Sequence, residues 1–159
     1  MSSRLLLPCV VVAAIVTSSC VTPGPHQSSP PQEGGASFLE VDGAWLRVHE
    51  EGEGSGVPVV FVHGYGSRLE AWRAVQPVIS DGRRTVSYDQ RGFGLSERPE
   101  GEYGPDRHAK DLLALLDAAG IERAVLVGHS YGGGVVARAA LLAPERVAGM
   151  VLVDAFLFD

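Results

Sequence analysis

One serine stands between glycines at a spacing that suits nucleophilic chemistry. The segment Gly128-His129-Ser130-Tyr131-Gly132 has the pattern G-x-S-x-G. It directly follows the apolar run 124–127 and precedes a predicted helix over 131–143, so it lies on a strand-to-helix turn. On so sharp a turn, side chains two positions before and after the serine would collide, which explains both glycines. The pattern therefore predicts Ser130 as an exposed nucleophile for acyl transfer.

A second glycine-bearing loop could supply the electrophilic half of such a site. His63-Gly64-Tyr65-Gly66 follows the β-branched and aromatic run 57–62, a predicted buried strand. Acyl transfer needs two N–H donors aimed at the developing oxyanion, and we predict that the peptides of Tyr65 and Tyr131 provide them. Gly64 and Gly66 allow the loop to bend inward. We expect His63 to hold this loop by hydrogen bonds and not to act as the base.

Alternating strands and helices would position these loops at one edge of a sheet. Asp42-Gly43 between two short alternating runs predicts a hairpin, and further strands are expected over 57–62, 84–88, 124–127 and 147–153. Helices are predicted over 69–79, shortened by Pro77, over 105–119 and over 131–143. Six strands in this order indicate an α/β class with a mostly parallel sheet and helices on both faces.

Four blocks of sequence resemble one known family. They are VVFVHGYGS (59–67), SYDQRGFGLSERP (87–99), LVGHSYGG (126–133) and PERVAGMVLVDA (144–155). In this order they are similar to the α/β-hydrolase fold family, in its haloperoxidase-like and esterase-like branch, over residues 37–159. The resemblance implies an α/β-hydrolase fold truncated after the sixth strand, with 89–92 as a structural corner. A serine nucleophile implies ester, thioester or related acyl chemistry, because dehalogenation and epoxide opening in this fold use a carboxylate.

The family's remaining catalytic groups have no counterpart by position. The resemblance implies an acid after strand seven and a histidine after strand eight, whereas this chain ends at Asp159 and all five histidines precede Ser130. Asp154 is a possible alternate acid or a polar residue at a strand end. The cap that shapes the substrate pocket is also missing, so the substrate is not predicted.

Two functions from different classes follow from this gap. The first is a serine hydrolase that is incomplete as given and inactive alone. The second is a non-catalytic envelope lipoprotein that keeps half of a hydrolase fold as a binding or structural module. Reading the DNA beyond codon 159 for an aspartate and a histidine at strand ends would separate them.

The first nineteen residues are typical of an export signal. Arg4 precedes the apolar stretch 5–16, and small polar residues then lead to Cys20. Cys20 resembles the lipid-bearing cysteine of a bacterial lipoprotein, which predicts a lipid anchor in the cell envelope. Cleavage by an ordinary signal peptidase, giving a secreted or periplasmic protein, and an uncleaved anchor are the alternatives. The segment 20–36 is rich in Pro and Gly and is predicted to be a tether in which His26 is solvated.

Composition excludes several classes of function. The formal net charge is −6 and no Lys/Arg cluster exists, which argues against a nucleic-acid partner. No apolar run of about twenty residues follows the leader, so a transmembrane bundle is not expected. Two cysteines are too few for a disulfide scaffold or a Cys-rich zinc site. We expect no metal and no cofactor, a small ester-like substrate and a membrane contact through lipid.

Overall fold

The computed structural model describes residues 24–31 and 36–157. Within them the strands are β1 (Ser37–Glu40), β2 (Trp45–Glu51), β3 (Val59–Val62), β4 (Thr85–Tyr88), β5 (Ala124–His129) and β6 (Val147–Val153). The α-helices are α1 (Gln76–Ile79), α2 (Pro105–Ala118) and α3 (Tyr131–Leu142). Two short 3₁₀ helices cover Leu69–Trp72 and Pro144–Arg146. The six predicted strands are therefore confirmed.

The strands form one sheet in the order β1-β2-β4-β3-β5-β6. β1, β2 and β4 pair antiparallel, whereas β4, β3, β5 and β6 pair parallel. The predicted hairpin joins β1 to β2, and Asp42 and Gly43 have φ angles of 42° and 72°. Positive φ at both central residues gives the turn a twist that matches the two strands. The carboxyl ends of the parallel strands meet at one edge of the sheet.

Alternate residues of β3 bury two separate faces of the sheet. Val60 and Val62 pack into the larger apolar cluster, together with buried residues of α2 and α3. Val59 and Phe61 point to the other face, where they pack against Trp72 of the first 3₁₀ helix. The apolar run of β3 is thus explained by burial on both sides, as predicted for a central parallel strand.

The predicted helix over 69–79 is wrong as a single element. The chain forms a 3₁₀ helix and then α1, and Pro77 lies in the first turn of α1 and not at its end. Proline fits there because the first N–H groups of a helix have no intrahelical partner. Gln76 is buried, whereas Val75 is 44% exposed. The Gln76 amide donates to the His49 carbonyl and contacts the Thr85 hydroxyl at 3.2 Å, which explains its burial.

β6 is apolar on both faces of the sheet and is only partly covered. Met150, Val151, Leu152 and Val153 are 41–48% exposed, although their sequence is that of a buried strand. β6 pairs with β5 on one side and is the last strand in the sheet order. Because an open apolar edge can pair with another chain, self-association of this polypeptide stays a prediction.

The described part of the predicted tether contacts the domain. The Gly24 N–H donates to the Arg98 carbonyl at 3.0 Å, and the Glu100 N–H donates back to the Gly24 carbonyl at 2.8 Å. The prediction that His26 is merely solvated is wrong, because its Nδ1 lies 2.8 Å from the buried Glu97 carboxylate. The same carboxylate accepts from the Gln27 N–H at 2.5 Å, so burial of Glu97 requires these donors.

The predicted signal segment 1–19 and Cys20 lie outside the described residues. Among the helices that are described, none combines the length and apolar character needed to cross a bilayer.

Candidate active site

Ser130 occupies the turn between β5 and α3 in a backbone conformation that serine seldom adopts. Its φ and ψ are 50° and −118°, and it is the N-cap of α3. Three backbone bonds of 3.0 Å hold it: the Ser130 N–H donates to the Val153 carbonyl, and the Ser130 carbonyl accepts from the N–H groups of Gly133 and Phe156. Non-glycine residues with positive φ persist only where their surroundings enforce them, and they concentrate at functional sites.

The two glycines of the motif are required by close backbone approach. A Cβ on Gly128 would lie 2.6 Å from the Gly133 Cα, inside the turn itself. A Cβ on Gly132 would lie 2.5 Å from the His63 carbonyl oxygen, at the end of β3. The predicted need for small residues is confirmed, and for Gly132 the obstacle is the neighbouring strand end. The helix N-terminus therefore sits directly against the loop that follows β3.

The loop after β3 lies beside Ser130 and is held by His63. The Nδ1 of this buried histidine donates to the Gly64 carbonyl at 2.8 Å, and its Nε2 accepts from the Gln90 N–H at 3.0 Å. Burial lowers the pKa of His63 despite the Gly64 carbonyl, so the ring is neutral. Both nitrogens are occupied, as expected for a loop-holding residue. A Cβ on Gly64 would come within 3.4 Å of the Ser130 Cβ.

Tyr65 and Tyr131 lie on the two loops that face each other. Their ring centroids are 5.7 Å apart in an edge-to-face arrangement, and Tyr65 is 77% exposed. Tyr131 is the first residue of α3, where peptide N–H groups point out of the helix N-terminus. The Tyr131 N–H thus lies at a helix N-terminus, and the role of the Tyr65 and Tyr131 peptides as oxyanion donors stays a prediction. Gly66 has a φ of 69° on the outer side of the Tyr65 loop.

The 89–92 corner is structural, as the family resemblance implies. Both Asp89 oxygens accept backbone N–H groups, from Leu69 at 2.6 Å and Leu95 at 2.8 Å. The Gln90 amide donates to the His63 carbonyl at 2.8 Å. Arg91 forms a bidentate pair with Asp111 of α2, with both N–O distances at 2.7 Å. The polar side chains of the corner thus bind surrounding segments, and Gln90 is the one that contacts the loop beside Ser130.

His108 joins this site, which reasoning from the sequence missed. It is buried on α2, with its Nδ1 2.7 Å from the Tyr131 hydroxyl and its Nε2 3.1 Å from the Arg91 carbonyl oxygen. A signal was available, because His108 falls one helical turn before Leu112 on the buried face of α2. Its partner could not be predicted, since that contact depends on the packing of α2 against α3.

No base for Ser130 is visible among the described residues. In that part of the chain, the histidine ring hydrogen bonds go to other groups than the Ser130 hydroxyl. Asp154 follows β6 and is exposed, with a φ of 45°. The Ser130 N–H donates to the carbonyl of Val153, the residue before Asp154, so Asp154 lies near the turn. The role of Asp154 as an acid stays a prediction.

Comparison with known proteins identifies the family. Residues 57–159 match the family described as alpha/beta hydrolase fold. The chain belongs to this family of α/β hydrolases.

Individual relatives are hydrolases of greater length. The chain is 38% identical over 126 residues to a 2-hydroxymuconate semialdehyde hydrolase of Pseudomonas sp. (strain CF600), covering 77% of this chain and 44% of that protein. It is 42% identical over 116 residues to epoxide hydrolase A of Mycobacterium tuberculosis, covering 71% and 36%. A solved meta-cleavage product hydrolase from Pseudomonas fluorescens IP01 superposes with a TM-score of 0.71 at 36% identity, covering 75% and 44%. The chain thus spans less than half the length of each of these proteins.

Proposed function

We propose that this chain carries the nucleophile and the oxyanion hole of a serine hydrolase that cleaves esters or related acyl bonds. The observation that carries the proposal is Ser130 itself, held at positive φ between β5 and the N-terminus of α3. Hydrolases among the relatives support the reaction class.

The proposed reaction begins with attack of the Ser130 hydroxyl on the acyl carbon. As the C–O bond forms, the carbonyl electron pair moves to oxygen, where the Tyr65 and Tyr131 N–H groups donate to it. Collapse of this oxyanion expels the leaving group and leaves an acyl-serine that water hydrolyses. A serine hydroxyl needs a base to take its proton. By the family resemblance, this base follows the strands described here.

The identity of the nucleophile separates this proposal from epoxide opening. One relative is named an epoxide hydrolase, and the implied nucleophile for that chemistry in this fold is a carboxylate. Position 130 is a serine, which favours acyl transfer to a small ester-like substrate. In a longer form that carries the base, the Ser130 oxygen would displace fluoride from a fluorophosphonate probe, and the site of attachment would identify the nucleophile. The 159-residue chain alone should be labelled slowly or not at all.

The test is a comparison of the 159-residue chain with a longer form. Loss of the base from a serine triad costs on the order of a millionfold in turnover, while the hole and binding retain roughly 10³–10⁴ over water. We therefore expect little hydrolysis of short p-nitrophenyl esters by the chain alone. Adding a C-terminal segment with an acid and a histidine should raise hydrolysis by several orders of magnitude. Brisk turnover by the chain alone, abolished by Ser130→Ala, would show that its base lies within the 159 residues.

We also propose that the protein is exported and anchored by lipid on Cys20. The basic and apolar leader and the cysteine at its end support this. Several buried acyl chains anchor stably, at about 0.8 kcal/mol per CH₂. Three residues separate Cys20 from Gly24, so the four Cα–Cα steps reach at most about 14 Å. The contact of Gly24 with the 98–100 loop would therefore hold the domain close to the bilayer.

Detergent partition tests the anchor. The full chain should enter the detergent phase, and Cys20→Ala should stay in the aqueous phase. Cys9→Ala, which removes the other cysteine, is the matched control and should behave as the wild type. Equal partition of wild type and Cys20→Ala into the aqueous phase would contradict the proposal.

A further inference from the structure

The two ring nitrogens of His108 face different kinds of hydrogen-bond partner, a hydroxyl at Nδ1 and a carbonyl oxygen at Nε2. A backbone carbonyl can only accept, so the Nε2 that faces the Arg91 carbonyl must carry the proton and donate. In a neutral ring the Nδ1 then holds a lone pair, and the Tyr131 hydroxyl 2.7 Å away donates to it. The hydrogen-bond partners thus assign one tautomer to His108 and one orientation to the Tyr131 hydroxyl.

The surroundings of His108 favour this neutral state. The charged and titratable groups that face it are Arg91, Asp111, His63, Tyr103 and Tyr131, and burial lowers its pKa despite the bond to the Arg91 carbonyl. Burial also raises the pKa of Tyr131 to about 12, so the hydroxyl keeps its proton near neutral pH. The bond between the two residues therefore persists across ordinary pH.

Four rings close a cycle that includes both candidate oxyanion residues. His108 contacts Tyr131 with ring centroids 5.6 Å apart, and Tyr131 contacts Tyr65 at 5.7 Å. Tyr65 contacts Phe93 at 5.3 Å, and Phe93 returns to His108 at 5.8 Å. We call these four residues the aromatic cycle. Three of these contacts are edge-to-face and the one between Phe93 and His108 is tilted. Such contacts stabilise a fixed arrangement of rings, so the position of one ring restricts the next.

We propose that His108 is a positioning residue of the candidate oxyanion hole, which holds the Tyr131 ring, and with it the Tyr131 N–H, in place beside Ser130. The inference rests on the proposed function for the use of that N–H. Tyr131 begins α3, and the ends of helices fray. His108 lies in the first turn of α2, and its hydrogen bond to the Tyr131 hydroxyl ties the first turns of the two neighbouring helices together. An oxyanion donor works only if it is aimed before the charge develops, so such a restraint acts on rate.

A thiol at position 130 allows a test that needs no general base. The full chain is prepared with Ser130→Cys, together with Cys9→Ser and Cys20→Ser. A thiolate is nucleophilic on its own. With p-nitrophenyl acetate, the S–C bond forms, the carbonyl electron pair moves to oxygen, and collapse of the oxyanion expels p-nitrophenolate and leaves a thioester. With iodoacetamide, the S–C bond forms as iodide leaves, and no oxyanion develops. The ratio of the two rate constants therefore measures stabilisation by the oxyanion hole. The pKa of the thiol and its accessibility affect both reactions and cancel in the ratio.

Two substitutions of His108 separate its two hydrogen bonds. His108→Asn places an acceptor oxygen where Nδ1 stood and keeps the partner of Tyr131. His108→Gln places an amide nitrogen where Nε2 stood and keeps the donor to the Arg91 carbonyl. Tyr131→Phe keeps the ring and removes only the hydroxyl. Loss of a complete oxyanion donor costs about 10²–10³ in rate, so misalignment by Tyr131→Phe or His108→Gln should lower the ratio by about tenfold. His108→Asn should hold the ratio within about twofold of the parent.

The outcomes distinguish this inference from the proposed function. If the ratio of the p-nitrophenyl acetate to the iodoacetamide rate constant in the parent Ser130→Cys chain is no higher than in N-acetylcysteine, the chain has no working oxyanion hole. That result would contradict both proposals. A raised parent ratio that Tyr131→Phe and His108→Gln leave unchanged would overturn the role of His108 alone. Equal losses in His108→Asn and His108→Gln would indicate general packing and also overturn it. Nitrogen-15 NMR of the wild-type chain gives an independent readout, since a protonated Nδ1 on His108 would contradict the assigned bond.

Discussion

Removal of the Asp111 carboxylate should destabilise the domain more than most single changes. Arg91 donates to both Asp111 oxygens at 2.7 Å, and the two side chains are 7% and 1% exposed. In Asp111→Ala the Arg91 guanidinium would keep only backbone acceptors nearby, the better being the Asp42 carbonyl at 2.9 Å. A buried charge without its counter-ion costs about 3–5 kcal/mol. This is a large share of the roughly 5–15 kcal/mol that holds a domain together.

Urea denaturation followed by tryptophan fluorescence measures this cost as a shift in the urea midpoint of unfolding. With an m-value of about 2 kcal/mol/M for a domain of this size, a loss of about 4 kcal/mol lowers the midpoint by about 2 M. Trp72 is buried in the smaller apolar cluster, so its fluorescence reports the loss of that cluster on unfolding. Sub-micromolar protein limits pairing through β6, and agreement between fluorescence and circular dichroism checks that unfolding is two-state.

Two controls decide whether the uncompensated charge is the cause. Asp106→Ala removes a carboxylate of the same helix, paired with Arg138 on the exposed surface, and should not shift the midpoint measurably. The double variant Asp111→Leu with Arg91→Met removes both charges of this pair and should recover most of the loss, because apolar replacements of buried pairs are often neutral. Arg107, which also donates to Asp111 at 2.6 Å, has a side chain that is 21% exposed and keeps its partner Asp42. A midpoint drop below about 0.5 M in Asp111→Ala, or no recovery in the double variant, would refute the reasoning.

Three further predictions follow from the same contacts. Burial raises the pKa of Glu97, but bonds from the Trp45 and Gln27 N–H groups and from His26 outweigh this and leave it below the ordinary value. Docking of residues 24–31 should therefore persist above about pH 4.3 and be lost as the pH falls through the lowered pKa of Glu97 in the folded protein. Trp45 fluorescence should report this loss as an acid transition, and Glu97→Gln should lack the transition. The same acid transition in the wild type and in Glu97→Gln would contradict this assignment to Glu97. Burial lowers the pKa of His63 and of His108, so stability should decline as the pH falls below about 6.5, where only the unfolded chain takes up these protons. A urea midpoint that stays constant from about pH 8 to about pH 5 would count against neutral histidines. Val151→Lys on β6 should reduce self-association seen by light scattering, whereas Val78→Lys on the exposed face of α1 should not. Equal scattering in both variants would show that β6 is not the contact.

The turn at Ser130 could be predicted because its determinants are local. Gly128, Ser130 and Gly132 lie within five residues, and the strand before them and the helix after them are set by short apolar patterns. The collision that excludes larger residues arises partly inside the turn and partly from the end of β3. The hairpin was predictable for the same reason, since Asp42 and Gly43 are adjacent residues that accept positive φ.

The contacts that sequence reasoning missed join residues far apart in the chain. Gln76 is buried because two oxygens on β2 and β4 accept its amide, and no periodic pattern signals such partners. His26 reaches Glu97 across 71 positions, so the proline-rich composition of its segment predicted a free tether. His108 contacts Tyr131 across 23 positions. In each case a polar residue is held by a partner that only the tertiary fold brings near.

The hydrogen bonds of the two buried histidines bear directly on which group can serve Ser130. A general base needs a ring nitrogen with a lone pair that faces the serine hydroxyl. His63 uses its only lone pair to accept from the Gln90 N–H, and His108 uses its own to accept from Tyr131. Recruiting either ring would break a buried bond that holds one of the two candidate oxyanion loops. In this arrangement neither ring offers a free lone pair to the Ser130 hydroxyl. The proposed machinery therefore needs a proton acceptor from a different element, while the proposed N–H donors lie in this part of the fold.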